Sequence, residues 1–86
     1  MAVTWTVAPG YYLYRDSLKV SGDGPVAQPG PPTIPPGTPK WDEHFGDVEV
    51  FYGSVRMEVP LARANPKAGT AELQLAFQGC KENSIC

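Results

Sequence analysis

Val48-Glu49-Val50-Phe51-Tyr52-Gly53-Ser54-Val55-Arg56-Met57-Glu58-Val59-Pro60 is the stretch that decides the fold class. Val48, Val50 and Tyr52 share one parity, with Phe51 on the other, and Val55, Met57 and Val59 alternate with Arg56 and Glu58. Side chains repeating every two residues belong to the two faces of a β-strand rather than to a helix stripe. Gly53-Ser54 interrupts the run as a bulge or tight turn does. Pro60, which lacks an N–H for a sheet ladder, closes it.

Towards the N-terminus, Val3, Trp5 and Val7 alternate with Thr4 and Thr6, and Pro9-Gly10 marks a turn. Tyr11 to Val20 reads as the next extended run, with Tyr12, Tyr14, Leu18 and Val20 on one parity, ended by Ser21-Gly22-Asp23-Gly24. Residues 25–39 contain seven prolines. Proline fixes its own φ and cannot donate to a ladder, so this stretch is expected to be a loop of polyproline character. Pro32-Thr33-Ile34-Pro35 has the spacing of a ligand for an SH3-like groove, but no flanking Arg supports that reading. Towards the C-terminus, residues 62–69 hold Asn65-Pro66 and Ala68-Gly69 and form a connecting loop. Leu73, Leu75 and Phe77 then face one way and Glu72, Gln74 and Gln78 the other, in a strand that runs through Gly79 into Cys80. Helical periodicity is almost absent. Four or five short strands separated by turn signals predict an all-β sandwich or barrel. A sandwich commonly has about seven strands, so residues 1–86 read as a single, partial domain.

The composition narrows the function. Gly contributes 9 and Pro 10 of 86 residues, which implies long turns in a domain whose core is small. A net charge of -2, with 7 basic residues scattered singly, offers no patch for nucleic acid or an anionic membrane. No apolar run approaches the roughly 20 residues of a membrane helix. Met1-Ala2-Val3-Thr4 lacks the basic and apolar regions of a signal peptide and reads as an initiator Met before an internal strand.

Cys80 and Cys86 are separated by five residues. A ring this short removes little unfolded-state entropy, roughly 2 to 2.5 kcal/mol on the chain-entropy model. Structural staples more often join distant segments, so a chemical use gains weight. A plain hairpin disulfide and two unpaired thiols remain open on these residues alone. The spacing is not the Cys-x-x-Cys of thioredoxin-like proteins, and no helix start is present to lower a thiol pKa. Glu82 adds a negative charge beside the pair, so thiols of ordinary or raised pKa are expected. Asp42 and Glu43, if they lie in a loop, are candidates to exchange a proton during disulfide chemistry. His44 with the two cysteines makes a poor zinc signature, and no metal or other cofactor is expected. Tyr11, Tyr12 and Tyr14 form an aromatic cluster suited to a core or an interface.

Taken together, three segments resemble the N-terminal periplasmic domains of the DsbD thiol:disulfide interchange family. They are Gly10-Tyr11-Tyr12-Leu13-Tyr14-Arg15, Asp42-Glu43-His44-Phe45-Gly46, and Gln78-Gly79-Cys80 with Cys86 beyond it. The resemblance covers nearly the whole chain apart from the proline-rich loop. It implies an immunoglobulin-like β-sandwich with the redox pair Cys80 and Cys86 in a hairpin, and no cofactor beyond that disulfide. It further implies a protein-disulfide reductase domain that receives electrons from the membrane-embedded part of its parent protein. That part is reduced by cytoplasmic thioredoxin, with the parent's own C-terminal thioredoxin-like domain as relay. The implied acceptors are periplasmic thioredoxin-like proteins: a disulfide isomerase and a cytochrome c maturation thioredoxin. Carried onto this chain, Cys86 attacks or forms the mixed disulfide, Tyr12 and Tyr14 are aromatics beside the site, and Asp42 and Glu43 are its acidic neighbours. The family places an aromatic cap on the acidic loop. Here His44 and then Phe45 follow the acidic pair, with Phe45 favoured for its apolar face. Were His44 the cap, shielding would weaken as it protonates near pH 6 to 7. Family members continue past the second cysteine into further strands, so the expectation is a truncated sandwich lacking terminal strands. The alternative function is a non-catalytic immunoglobulin-like interaction module with a structural hairpin disulfide.

Overall fold

A computed structural model of the chain describes residues 1–22, 28–62 and 72–84. Among them are ten short strands and a single 3-10 turn. In chain order these are β1 (Ala2–Thr6), β2 (Tyr11–Tyr14), the 3-10 turn Arg15–Ser17, β3 (Lys19–Ser21), β4 (Gln28–Pro29), β5 (Thr38–Asp42), β6 (Gly46–Phe51), β7 (Ser54–Glu58), β8 (Leu61–Ala62), β9 (Gln74–Ala76) and β10 (Gly79–Lys81). All pairings are antiparallel. The central sheet has the order β10-β2-β6-β5, and β1-β7, β3-β9 and β4-β8 form two-stranded sheets.

The Val48–Pro60 stretch becomes β6 and β7, but the two strands belong to different sheets. Gly53 makes the change of sheet. Its φ of 72° is a left-handed conformation that a Cβ would disfavour. Its carbonyl accepts the N–H of Val7 at 2.6 Å, which docks the end of β1 beside the switch.

Period-two alternation sorts the side chains of the central sheet into two clusters. Leu13 of β2 pairs with Phe51 of β6, and both face a core with Val7, Leu18, Val55, Met57 and Val59. Met57 is wholly buried, and burial of a side chain of this size is worth about 1.5–3 kcal/mol. On the opposite face Tyr12, Tyr14, Val50 and Cys80 form a second, smaller cluster, with Val48 against it.

Several expectations shift. The run Tyr11–Val20 is not one strand. Ser17 Oγ donates to the Tyr14 carbonyl at 2.6 Å, and the Leu18 N–H bonds the Arg15 carbonyl at 3.3 Å. These local bonds favour a turn over a ladder. Leu18 and Val20 therefore join the main core, while Tyr12 and Tyr14 face the other way. The proline-rich stretch is in part strand. Gln28–Pro29 pairs with β8, Thr33 bridges Glu58, and Thr38 and Pro39 open β5. Proline is tolerated in β5 because it is an edge strand. Residues 23–27 and 63–71 lie outside the described residues, which removes most of the expected 62–69 connection from view. The last apolar strand shortens to the three residues of β9, with Leu75 43% and Phe77 58% exposed. Its pairing with β3 is a backbone matter, and Phe77 finds cover edge-on against Trp5, ring centroids 6.3 Å apart. Among the described residues no helix is long and apolar enough to cross a membrane.

Candidate functional site

Cys80 sits in β10, at one edge of the central sheet, directly opposite Tyr12 in β2. It is 2% exposed and engaged in a disulfide. Cys86, the other cysteine of the sequence, lies outside the described residues. Two flanking contacts hold β10 in register. The Glu82 N–H bonds the Gly10 carbonyl at 2.7 Å, and Ser17 Oγ accepts the Gln78 N–H at 2.9 Å. Beyond β10 the chain turns, with Asn83 at φ 57° and the Ser84 N–H on the Lys81 carbonyl.

The acidic segment forms the hairpin between β5 and β6. Asp42 pairs with Gly46 across a three-residue loop, Glu43 to Phe45. Gly46 takes φ 76°, the left-handed position such loops require. Asp42 Oδ1 accepts the N–H groups of His44 (2.7 Å) and Phe45 (3.0 Å), so the carboxylate shapes its own loop.

The other carboxylate oxygen faces the sheet. Tyr14 donates its hydroxyl to Asp42 Oδ2 at 2.5 Å, and the same hydroxyl oxygen lies 3.0 Å from Cys80 Sγ. A phenol has one hydrogen to give, and a carboxylate accepts it better than sulfur does. Tyr14 therefore turns a lone pair towards the sulfur, where a thiol S–H can donate once the disulfide is reduced. Tyr14 is hard to ionise: burial pushes its pKa up, and the hydrogen bond to Asp42 adds to the effect. Asp42 is held below the usual carboxylate range, mainly by the Tyr14 hydrogen bond and further by the two loop N–H groups, against the opposing effect of burial. A carboxylate so stabilised is a weak base. Its hydrogen bonds make Asp42 an anchor for its own loop and for the Tyr14 hydroxyl.

The remaining residues singled out in the sequence fall in two groups. Tyr12 is buried, edge-on to Tyr14 with centroids 5.5 Å apart. Phe45 packs edge-on to the Tyr14 ring at 5.3 Å while staying exposed. Glu43 and His44 point to solvent, and Glu43 Oε1 is 3.5 Å from His44 Nε2, an ion pair when the imidazole is protonated. The loop thus sends Asp42 inwards and Glu43 outwards. An open groove of about 640 Å³ runs from Tyr14, Phe45 and Val48 to Ala76 and Phe77. Among the described residues no group of three or more His, Cys, Asp or Glu side chains is placed to hold a metal ion.

Sequence reasoning missed Lys40 and the environment of Glu82. Lys40 Nζ is 3.0 Å from Glu82 Oε1 and 5.0 Å above the Tyr12 ring, and the Tyr52 hydroxyl reaches Glu82 Oε2 at 3.4 Å. Glu82 is therefore not the unbalanced charge expected beside the cysteine pair. The two partners are 42 residues apart, and no local pattern links them.

A small all-β domain with a buried disulfide sulfur tied to a tyrosine–carboxylate pair is the class that the fold and site define. The family model described as thiol:disulfide interchange protein DsbD, N-terminal, matches residues 1–86, and the chain belongs to that family. It is 38% identical over 82 residues to thiol:disulfide interchange protein DsbD 2 of Pseudomonas aeruginosa, covering 95% of this chain and 12% of the relative. It is 35% identical over 86 residues to DsbD of Cronobacter sakazakii, covering 100% of this chain and 14% of the relative. The chain thus spans a small fraction of the length of these relatives. The crystal structure of the Neisseria meningitidis DsbD N-terminal domain in the reduced form superposes with a TM-score of 0.82 at 31% identity. That match covers 99% of this chain and 66% of the other.

Proposed function

We propose that this chain is a thiol:disulfide exchange domain working in the periplasm. It takes reducing equivalents from the membrane-embedded part of a DsbD-type parent and passes them to periplasmic thioredoxin-like proteins, a disulfide isomerase and a cytochrome c maturation thioredoxin among them. The exchanging pair is Cys80 and Cys86, and the architecture is an immunoglobulin-like sandwich. The observation that carries the reading is the Cys80 sulfur beside the Tyr14–Asp42 pair in a chain of this family.

The chemistry follows from those contacts. The reduced pair holds two S–H groups. One thiolate attacks a sulfur of the partner's disulfide, forming a mixed disulfide and releasing the partner's other sulfur as a thiolate. The second cysteine then attacks the mixed disulfide, and two electrons and two protons have passed to the partner. Cys80, buried and held against Tyr14, suits the resolving role, which leaves Cys86 to form the mixed disulfide. Tyr14, oriented by Asp42, receives the Cys80 S–H in the reduced state. Phe45, over Tyr14, is the cap that a docking partner displaces.

The test traps mixed disulfides in the presence of periplasmic thioredoxin-like proteins, with Cys80→Ser so that an adduct through Cys86 persists. A specific, reductant-sensitive adduct supports exchange, and its absence from a folded domain refutes it. The burial of Cys80 also fits a second reading, a binding module with a structural disulfide. A reduction potential below about -300 mV selects that reading, because such bonds resist exchange.

A further inference from the structure

The sheet face that carries Cys80 holds a second polar group, over the ring of Tyr12. Lys40 starts on the edge strand β5 and lays its side chain across the sheet. Its ammonium sits 5.0 Å above the Tyr12 ring and 3.0 Å from Glu82 Oε1. Tyr12 is the cross-strand partner of Cys80, and Glu82 follows Cys80 by two residues. The ammonium is therefore tied both to the ring beside the sulfur and to the turn that leaves it. The pair is sheltered, with side chains 25% and 35% exposed, and Tyr52 supports the carboxylate from a third side.

We propose that Lys40 is a positioning residue for thiol chemistry at Cys80, neutralising Glu82 and pinning the turn that carries it. The proposal rests on reading Cys80 as a redox cysteine. Exchange in either direction passes through a thiolate, with one S–S bond forming as another breaks and the negative charge leaving on the displaced sulfur. A carboxylate close to that sulfur opposes the anion, and an ammonium bound to the carboxylate cancels the opposition. The titratable and charged side chains on the elements packed about Cys80 are Tyr12 and Tyr14 on β2, Asp42 and Lys40 on β5, Tyr52 after β6, and Lys81 and Glu82 beside the cysteine in the chain. The charge of Asp42 is held by the Tyr14 hydroxyl and two N–H groups. That of Glu82 is met by Lys40, whose own pKa is raised mainly by the hydrogen bond to Glu82. A simple surface ion pair would contribute little. This one differs by lying over the ring of Tyr12, the cross-strand partner of Cys80.

The experiment needs no partner protein. The reduced domain is alkylated with iodoacetamide from about pH 5 to about pH 10, the product is mapped by mass spectrometry of its peptides, and the pH midpoint of the rate at Cys80 is read. Lys40→Met raises the midpoint by about half a unit and slows alkylation at neutral pH about threefold. Adding Glu82→Gln to that variant restores both, and Lys40→Arg keeps the native profile. Salt of about 1 M, where the Debye length is about 3 Å, shrinks the difference. An unchanged midpoint in folded Lys40→Met, or a double variant no better than the single one, overturns the proposal and leaves a structural clasp. Should Lys40→Met fail to fold, Glu82→Gln alone decides. It leaves the ammonium unopposed and lowers the midpoint, and an unchanged midpoint overturns the proposal. Mixed-disulfide trapping is read separately. A shifted midpoint with no trapped partner sinks the exchange function, while a trapped partner with no shift sinks only the role of Lys40.

Discussion

Replacing Gly79 by alanine puts a methyl group where β10 and β2 already touch. An added Cβ would lie 2.5 Å from the Tyr12 carbonyl oxygen and 3.0 Å from Leu13 Cδ2. A carbon–oxygen contact relaxes at about 3.3 Å, so β10 must back away from β2 by nearly 1 Å at this point. The Leu13 methyl can rotate aside, but the Tyr12 carbonyl is part of the ladder and cannot. Overpacking of this kind costs about 1–3 kcal/mol. In a domain of this size each kcal/mol moves Tm by about 4–8 °C, so the melting point of the oxidised domain falls by about 4–24 °C. The displacement acts on the residue next to Cys80 and stretches the 3.0 Å contact from Tyr14 to Sγ. Reduction by dithiothreitol should accelerate along with the loss of stability. Thermal denaturation followed by circular dichroism, paired with timed reduction and thiol quantitation, reads both effects. A Tm within about 2 °C of the native value together with an unchanged reduction rate would refute the close approach of the strands.

Four further outcomes follow from the same geometry. Tyr14→Phe removes the largest influence holding the Asp42 carboxyl down, so its NMR titration should move up towards the ordinary range; no movement refutes the hydrogen bond. Because the folded pKa of Asp42 is depressed, its contribution to stability is present above the unfolded carboxylate pKa and is lost as pH falls through the folded value. Asp42→Asn should accordingly flatten the acid limb of stability against pH, and an unaltered limb would count against the assignment. Phe45→Ala should speed reduction of the disulfide by a small thiol with little change in Tm, while His44→Ala leaves the rate alone; the reverse pattern makes His44 the cap. Met57→Ala, in the main core, should cost about 2–5 kcal/mol in denaturant unfolding while leaving the reduced site's alkylation profile intact.

Parts of the site were legible because they are local. The alternation in Val48–Val59 places Val50 and Phe51 on opposite faces, which is where the sheet has them. Asp42, followed by two exposed residues, Phe45 and a glycine, has the chemistry of a capped loop closing on a left-handed position. The run Tyr11–Val20 misled because Ser17 offers the backbone hydrogen bonds that compete with a ladder. Asp42 and Glu43 read alike in the sequence, and the structure separates them. Adjacent residues leave a strand end in different directions: Asp42 meets the Tyr14 hydroxyl and two loop N–H groups, while Glu43 faces solvent beside His44.

What the sequence determined by itself is the all-β class, the parity of the strand faces, the turn at Pro9-Gly10 and the presence of a closely spaced cysteine pair. These are properties of neighbours along the chain, set by steric preferences and the two-residue repeat of a strand. Tertiary structure alone decided what surrounds the sulfur. Tyr14 meets Asp42 across 28 residues, Cys80 across 66, and Lys40 meets Glu82 across 42. Those meetings depend on the order β10-β2-β6-β5, which sets the last strand beside the second and the fifth beside the sixth. Strand order is decided by burial of the common core, and a period-two pattern carries no record of which strand lies next to which.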